Sequence, residues 1–526
     1  MTAYCAPLDD ILFSLNAVAG AGRIPDWDSD LAAELGGHFA AFAEGMIAPL
    51  DESGDRDGCR LENGRVRMPG GFGAAWSAYR DQGWPGLTAP EEFGGQGMGP
   101  TMQGIVSEIF TGACQGLQMT AGLVPGAIRT LLHFGSDAQK ARLIPPMAAG
   151  DWLATMCLSE PGAGSDLSRV RCRAERAGDG WRINGEKIFI SGGDQDLTEG
   201  ILHLVLARTG PDGIRGLSLF ACRSQRDDGT RNAVRCARIE EKMGIHASPT
   251  CNLIFDGADA ELVGAEGAGL AAMFTLMNHA RLDVALQGVA LAARAHHIAA
   301  DYAADRVQGR GADGQPTPIS AHADVARMLE EMDLLAIGAR GIAHMALVML
   351  ETGEGADLVE ALTPVAKVFG SEAATTAADL GIQVLGGYGY LREYRIEQVW
   401  RDARITRIYE GANGIHALAL ATRLMRLGAP LDALDSFAAA ETGPAVTTCL
   451  TAWRAARNKV AARDDPAPVA TAFMALTAEL VHQVVWARIA AVADRHADPE
   501  RLHRLAQRAA ARVPVAVAGF DAAVTI

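Results

Sequence analysis

One carboxylate, Glu410, stands between an aromatic residue and a glycine in the run Arg404-Ile405-Thr406-Arg407-Ile408-Tyr409-Glu410-Gly411-Ala412-Asn413-Gly414-Ile415. Taken alone, it reads as a solvated carboxylate at a helix end. Held in a dry pocket, the same group has its pKa raised by desolvation towards the range where it serves as a general base. Gly411 leaves room for a substrate beside it. Two glycine-rich segments could bring backbone N–H groups close to a ligand. One is Ser159-Glu160-Pro161-Gly162-Ala163-Gly164-Ser165; the other is Leu385-Gly386-Gly387-Tyr388-Gly389-Tyr390, which also reads as a glycine cap ending a helix. Arg281 lies in an otherwise apolar helical stretch, where a buried guanidinium must be paired, with Asp283 one candidate. Arg306 suits a phosphate clamp, or is a solvated helix-end charge.

Other chemistries find little support. No GxGxxG fingerprint follows a strand, which argues against a nicotinamide enzyme. No GxSxG elbow is present. His296-His297, His344, His416 and His482 lack metal-binding spacing such as HExxH. The nine cysteines are scattered without a CxxC pair, as in a reduced, cytoplasmic protein, and no metal site is expected. The net charge of −16 argues against a general binder of nucleic acid or anionic membrane. No basic start followed by an apolar run suggests a signal peptide, and no uncharged apolar stretch of 18 residues suggests a membrane span.

The elements that must position these residues follow from periodicity. At 526 residues, 49% of them apolar, the chain can bury a large core. Leu31, Leu35, Phe39, Phe42 and Met46 recur at helical spacing, and further helices are expected around residues 76–79, 103–110 and 138–147. From Trp152 the period changes to two. Trp181-Arg182-Ile183-Asn184-Gly185-Glu186-Lys187-Ile188-Phe189-Ile190-Ser191 alternates around an Asn-Gly pair, which predicts a hairpin turn there. Residues 203–207 and 216–221 predict further strands. Long helical patterns return after Gly267, and the last part is Ala- and Arg-rich helix broken by the loop Asp464-Asp465-Pro466-Ala467-Pro468. The segregated order gives an α+β, mostly α class. The expected domains are residues 1–151 (helical), 152–265 (β), 266–428 (a four-helix bundle) and 429–526 (an extra helical domain).

Together, these segments resemble the acyl-CoA dehydrogenase family. The carrying motifs are Met156-Cys157-Leu158-Ser159-Glu160-Pro161-Gly162-Ala163-Gly164-Ser165-Asp166-Leu167, the segment from Leu385, and the Glu410 run, in that order. The resemblance spans roughly residues 75–423. Within the family the chain is most similar to the 3-methylmercaptopropionyl-CoA dehydrogenase group. Tyr4-Cys5-Ala6-Pro7-Leu8, residues 190–199, Lys242-Met243-Gly244-Ile245-His246 and Met277-Asn278-His279-Ala280-Arg281-Leu282 carry that likeness.

The resemblance implies an FAD enzyme that desaturates an acyl-CoA thioester. Glu410 matches the base that abstracts the α-proton. Ala280 occupies the other position where some members carry theirs. The enolate oxygen would be met by the Glu410 N–H and a flavin ribityl hydroxyl. Cofactor contacts are implied for Met156, Leu158, Ser159, Gly164, Ser165, Phe189, Ser191, Arg306, Gln383, Gly386, Gly387 and Asn413. Phe189 and Ser191 stand where the family often has Trp and Thr. Substrate contacts are implied for Ser165, Asn278, Arg281 and Gly411. Electron-transferring flavoprotein is the implied acceptor and a homodimer the implied assembly. The insertion at residues 308–318 replaces the family's short link. An alternative is a same-fold flavoprotein repurposed for DNA, motivated by ten Lys/Arg against six Asp/Glu in residues 451–513.

Overall fold

Residues 3–525 are described by the computed structural model; Met1, Thr2 and Ile526, at the outer ends of the first and last expected domains, lie outside the described residues. The chain divides into two compact units. One comprises Gly45–Gly99 and Ala113–Ala280, and the other the chain up to Glu44, Pro100–Gly112 and everything from Arg281 onward.

In the first unit, beside the short pair Arg60–Glu62 and Arg65–Arg67, alternation produces one sheet of seven described strands: Trp152–Cys157, Arg173–Ala177, Gly180–Ser191, Gly200–Arg208, Leu217–Arg223, Val234–Ile239 and Thr250–Val263. Gly200–Arg208 is buried along its length, with Trp152–Cys157 parallel to it and Leu217–Arg223 antiparallel. Through Leu217–Arg223 and Thr250–Val263 the sheet returns to Gly180–Ser191 and, by way of Arg173–Ala177, back to Gly200–Arg208, while Trp152–Cys157 and Val234–Ile239 each pair with one strand at its margin. Among the flanking helices, Asp137–Ala148 starts at a reciprocal cap: the Gln139 N–H donates to the Ser136 hydroxyl (3.2 Å) and the Ser136 N–H to Gln139 Oε1 (3.0 Å).

The Asn184-Gly185 pair does not turn the chain. The two-residue turn comes earlier, at Gly178-Asp179, with Ala177 opposite Gly180 and Gly178 at φ +60°. Asn184 and Gly185 lie inside Gly180–Ser191 beside a register shift against Thr250–Val263. Asn184 Oδ1 accepts from the Gly257 N–H (2.7 Å), and a Cβ on Gly185 would fall 2.8 Å from Cys172 Cα. The conformational freedom that makes Asn-Gly a turn signal here permits a bulge and a close strand approach.

In the second unit, Ser29–Phe42 begins at Asp28, whose carboxylate accepts from the N–H groups of Asp30 (2.8 Å) and Leu31 (3.1 Å). Its buried stripe is Ala32, Gly36, Phe39 and Ala40, whereas Leu31 is exposed. Of the expected stripe, Phe39 is buried, Leu35 and Phe42 are half-buried and Leu31 and Met46 exposed, and beside Phe39 the helix packs closely through Gly36. A Cβ on Gly36 would lie 2.7 Å from Leu8 Cδ1. Three long helices, Gly269–Asp305, Ala323–Thr352 and Ala356–Leu385, run through this region, the first beginning in the other unit. Gly288 and Gly370 let two of them touch: a Cβ on Gly288 would meet the Gly370 carbonyl carbon at 2.3 Å. Ala323–Thr352 and the stretch Ala467–Arg495 are long and apolar enough to cross a membrane, but 94% and 83% of their apolar windows are buried in the fold. Residues 308–318 form an exposed antiparallel pair, Val307–Arg310 with Pro316–Pro318.

Among the described residues, five α-helices follow residue 428. Most of their basic residues are occupied. Arg454 pairs with Asp435 (2.8 Å), Arg457 with Asp432 (2.6 Å) and Lys459 with Asp521 (3.0 Å). Arg501 reaches Asp333 (2.6 Å) and Asp10 (3.2 Å), Arg504 and Arg508 reach Glu330 (3.1 and 3.2 Å), and Arg512 reaches Glu331. With Arg488 on Glu441, eight of the ten basic side chains in residues 451–513 are paired with a carboxylate, Arg463 and Arg495 showing no such pair among the described residues, so the basic face that motivated the DNA-binding alternative is largely neutralised.

Candidate active site

Glu410 and Gly411 form a left-handed turn, at φ +53° and +93°, between the helix Ile396–Arg404 and the helix Asn413–Ala419. A non-glycine residue held there stores about 1–3 kcal/mol and persists only where its surroundings over-determine it. They do so here. Arg281 Nε donates to the Glu410 carbonyl (3.4 Å), and His416 Nε2 lies 3.1 Å from the same oxygen. Lys367 Nζ donates to the Gly411 carbonyl (2.9 Å) and to Asn413 Oδ1 (2.8 Å). Asn413 Nδ2 donates to Ser371 Oγ (3.0 Å) and Glu372 Oε1 (2.9 Å). A side chain at position 411 is excluded, since its Cβ would sit 2.8 Å from His416 Nε2.

The electrostatics suit a base. Burial pushes the Glu410 carboxyl up to about 7, against the pull of Arg281 and Lys367 and with help from Asp283. Its Oε2 is buried and takes no hydrogen bond among the described residues. Burial likewise brings Lys367 down to about 7, despite Glu410 and Glu372. His416 falls to about 3, by burial first and then by Arg281 and Lys367, so its ring is neutral and must carry its proton on Nε2 to donate. Arg281 is therefore bound to the backbone of the Glu410 turn, and burial lowers its own pKa.

In the other unit, Met156 ends its strand beside Cys157, and Leu158 and Ser159 lead into the glycine loop. A buried ion pair ties this loop to the strand Gly180–Ser191. Lys187 Nζ donates to Glu160 Oε1 (2.8 Å) and the Leu158 carbonyl (2.9 Å), while Glu160 accepts from the Arg171 and Cys172 N–H groups (2.7 and 3.0 Å). The Ile188 N–H donates to the Ser159 carbonyl (2.9 Å). At the strand's second register shift, Phe189 takes φ +59° and leaves its ring 63% exposed, and Ser191 follows opposite Thr250. Gly164 and Ser165 are exposed, and a Cβ on Gly162 or Gly164 would meet nothing within 4 Å. Asn278 is exposed on the helix Gly269–Asp305.

Arg306 and the second glycine segment come together: the guanidinium lies 5.6 Å from the Tyr388 ring centroid. Gln383, Gly386 and Gly387 are exposed, Gly386 at φ +61°, and a Cβ on either glycine meets open space. Each set by itself fits part of a flavin dinucleotide: Phe189 offers an exposed aromatic face near the Ser191 hydroxyl in the one unit, and in the other Arg306 beside open glycine backbones suits phosphate. Among the described residues, no three His, Cys, Asp or Glu side chains are grouped to hold a metal. Sequence reasoning missed Lys367, His416 and the Lys187–Glu160 pair. A lysine inside the apolar run Val365-Ala366-Lys367-Val368-Phe369 is the signal that could have found the first.

Comparison with known proteins identifies the family. Three domain models of the acyl-CoA dehydrogenase family match in order: N-terminal at residues 32–151, middle at 155–258 and C-terminal at 267–425. 3-Methylmercaptopropionyl-CoA dehydrogenase of Ruegeria pomeroyi is 41% identical over 79% of this chain and 75% of its own length. The broad-specificity linear acyl-CoA dehydrogenase FadE5 of Mycobacterium tuberculosis is 34% identical over 79% of this chain and 74% of its own. A Bacillus anthracis acyl-CoA dehydrogenase solved with FAD, 22% identical, superposes with a TM-score of 0.78 over 96% of this chain and 89% of that one, so the fold likeness extends into the C-terminal helices. The chain belongs to the acyl-CoA dehydrogenase family and is an oxidoreductase of that class.

Proposed function

We propose that the protein is an FAD-dependent dehydrogenase that converts an acyl-CoA thioester to the 2-enoyl-CoA, with Glu410 as the base. The observation that carries this reading is Glu410 itself, a buried carboxylate brought up to about 7 with an oxygen left unbonded. At that pKa it is half-ionised near neutral pH, and a proton taken from Cα finds an acceptor of matched strength. The Glu410 N–H has no acceptor among the described residues and is available to the thioester oxygen as charge develops there. FAD, when bound, supplies the acceptor for the β-hydride. Phe189 and Ser191 would hold its ring together with Met156, Leu158, Ser159, Gly164 and Ser165, and Arg306, Gln383, Gly386, Gly387 and Asn413 would bind the remainder. Ser165, Asn278, Arg281 and Gly411 serve the substrate.

The Ruegeria relative supports a short thioether acyl group such as 3-methylmercaptopropionyl. Electron-transferring flavoprotein is the proposed acceptor, a homodimer the assembly and the cytoplasm the location. The test is anaerobic mixing of the FAD-loaded protein with a panel of acyl-CoAs, from short thioether to long linear chains, followed by flavin bleaching. The thioether substrate should bleach the flavin fastest. Bleaching by none of them would defeat the reading.

A further inference from the structure

Lys367 is fully buried, in the middle of the helix Ala356–Leu385, at a position where an ammonium is costly. Its ammonium donates to neighbouring parts of one turn, the Gly411 carbonyl (2.9 Å) and Asn413 Oδ1 (2.8 Å). The same turn is held from other elements by Arg281 and His416, both on the Glu410 carbonyl. The Glu410-Gly411 dipeptide is thus gripped at both carbonyls while its left-handed φ values hold the backbone in a strained state. We propose that Lys367 is a positioning residue for the base: it fixes the Gly411 peptide and so the direction of the Glu410 N–H and carboxylate, and it is one of two cations facing that carboxylate. The inference rests on the proposed role of Glu410 and deepens it.

The charges on every side are accounted for. Glu410 is faced by Lys367, Arg281 and Asp283, and Lys367 by Glu410, Glu372, Arg281 and Arg407. Removing the lysine charge withdraws one of the two attractions that hold the carboxylate ionised, so the base should keep its proton to a higher pH. Removing the donor leaves the Gly411 carbonyl and Asn413 Oδ1 without their lysine partner, and the turn relaxes. A displacement of about 1 Å at a reacting group can cost on the order of 10²-fold in rate.

Two variants separate the two effects. Lys367→Gln keeps a donor and loses the charge; Lys367→Met loses both. Flavin reduction is followed in single turnovers across pH 5–9 with the FAD-loaded protein, alongside thermal melting and acyl-CoA binding. Lys367→Gln should move the acid limb of the rate profile to higher pH, with a smaller loss of the plateau rate. Lys367→Met should show the same displacement and a plateau lower by on the order of 10²-fold, while acyl-CoA affinity changes little. If Lys367→Met does not fold with FAD, Lys367→Gln alone decides through the pH profile. Wild-type rates and an unmoved acid limb in the folded variants overturn the proposal. A wild-type protein that reduces no flavin instead overturns the function on which it rests.

Discussion

Lys187 offers the sharpest structural prediction. Its side chain is 0% exposed and that of its partner Glu160 6%, with 2.8 Å between Nζ and Oε1. Lys187→Met keeps the length of the stem and removes the charge, leaving Glu160 ionised in the interior. Breaking a buried pair from one side costs about 3–5 kcal/mol. Glu160 still accepts from the Arg171 and Cys172 N–H groups, so the lower end applies. A loss of about 3 kcal/mol corresponds to roughly 3 °C in Tm for a chain of 526 residues, whose unfolding entropy is about 2.1 cal/mol/K per residue. The melt should be read by circular dichroism with excess FAD, since bound cofactor shifts the apparent Tm. Function should suffer as well, because the pair joins the Ser159 loop to the strand carrying Phe189, and FAD affinity should fall. Adding Glu160→Gln to Lys187→Met removes the stranded charge and should recover part of the Tm. A Lys187→Met protein that melts within about 1 °C of wild type, or a double variant no better than the single, would refute the reasoning.

Three further outcomes are expected. Because Glu410 must be ionised to accept a proton, flavin reduction should rise with pH through about 7 and fall away below it; the folded protein holds this proton to about 7 while an ordinary glutamate releases it near 4.5, so the group's contribution to stability declines as pH rises across that window, and Glu410→Gln should melt higher than wild type at pH 8 but not at pH 4.5. Gly411→Ala, at φ +93° with its Cβ 2.8 Å from His416 Nε2, should lower stability by about 1–3 kcal/mol and slow flavin reduction on the order of 10²-fold; an unchanged single-turnover rate contradicts this. Phe189→Ala should weaken FAD binding by about 3–10-fold, by titration of the apoprotein, without lowering the apoprotein's Tm, because the ring is exposed.

Much of this organisation is legible in the chain because periodicity is local. The change from helical spacing to alternation at Trp152 coincides with the first residue of a strand, and the arginine in an apolar stretch is bound to the turn carrying Glu410. What escapes the sequence is decided by distant partners. Asn184-Gly185 has the composition of a turn, and only the approach of Cys172 and Gly257 makes it a bulge. Of the stripe Leu31, Leu35 and Phe39, Phe39 is buried but Leu31 is exposed, and the close packing falls on Gly36, where Leu8 fills the space. The basic C-terminal segment looks like a phosphate surface until Asp10, Glu330, Glu331 and Asp333 are seen beside it, from segments more than 160 residues away in sequence. Lys367 belongs with these. A lysine in an apolar helix says that a partner exists, but the Gly411 carbonyl and Asn413 are identified only by the fold.

The central claim is that Glu410 is the base. Glu410→Gln preserves shape and loses the ability to take a proton, so FAD and acyl-CoA should still bind. The measurement is anaerobic stopped-flow reduction of the bound flavin by 3-methylmercaptopropionyl-CoA at pH 8, wild type against variant. The account predicts a loss on the order of 10²–10⁴-fold or more with substrate affinity retained, the range for removing a positioned general base. A variant that reduces its flavin at close to the wild-type rate contradicts it.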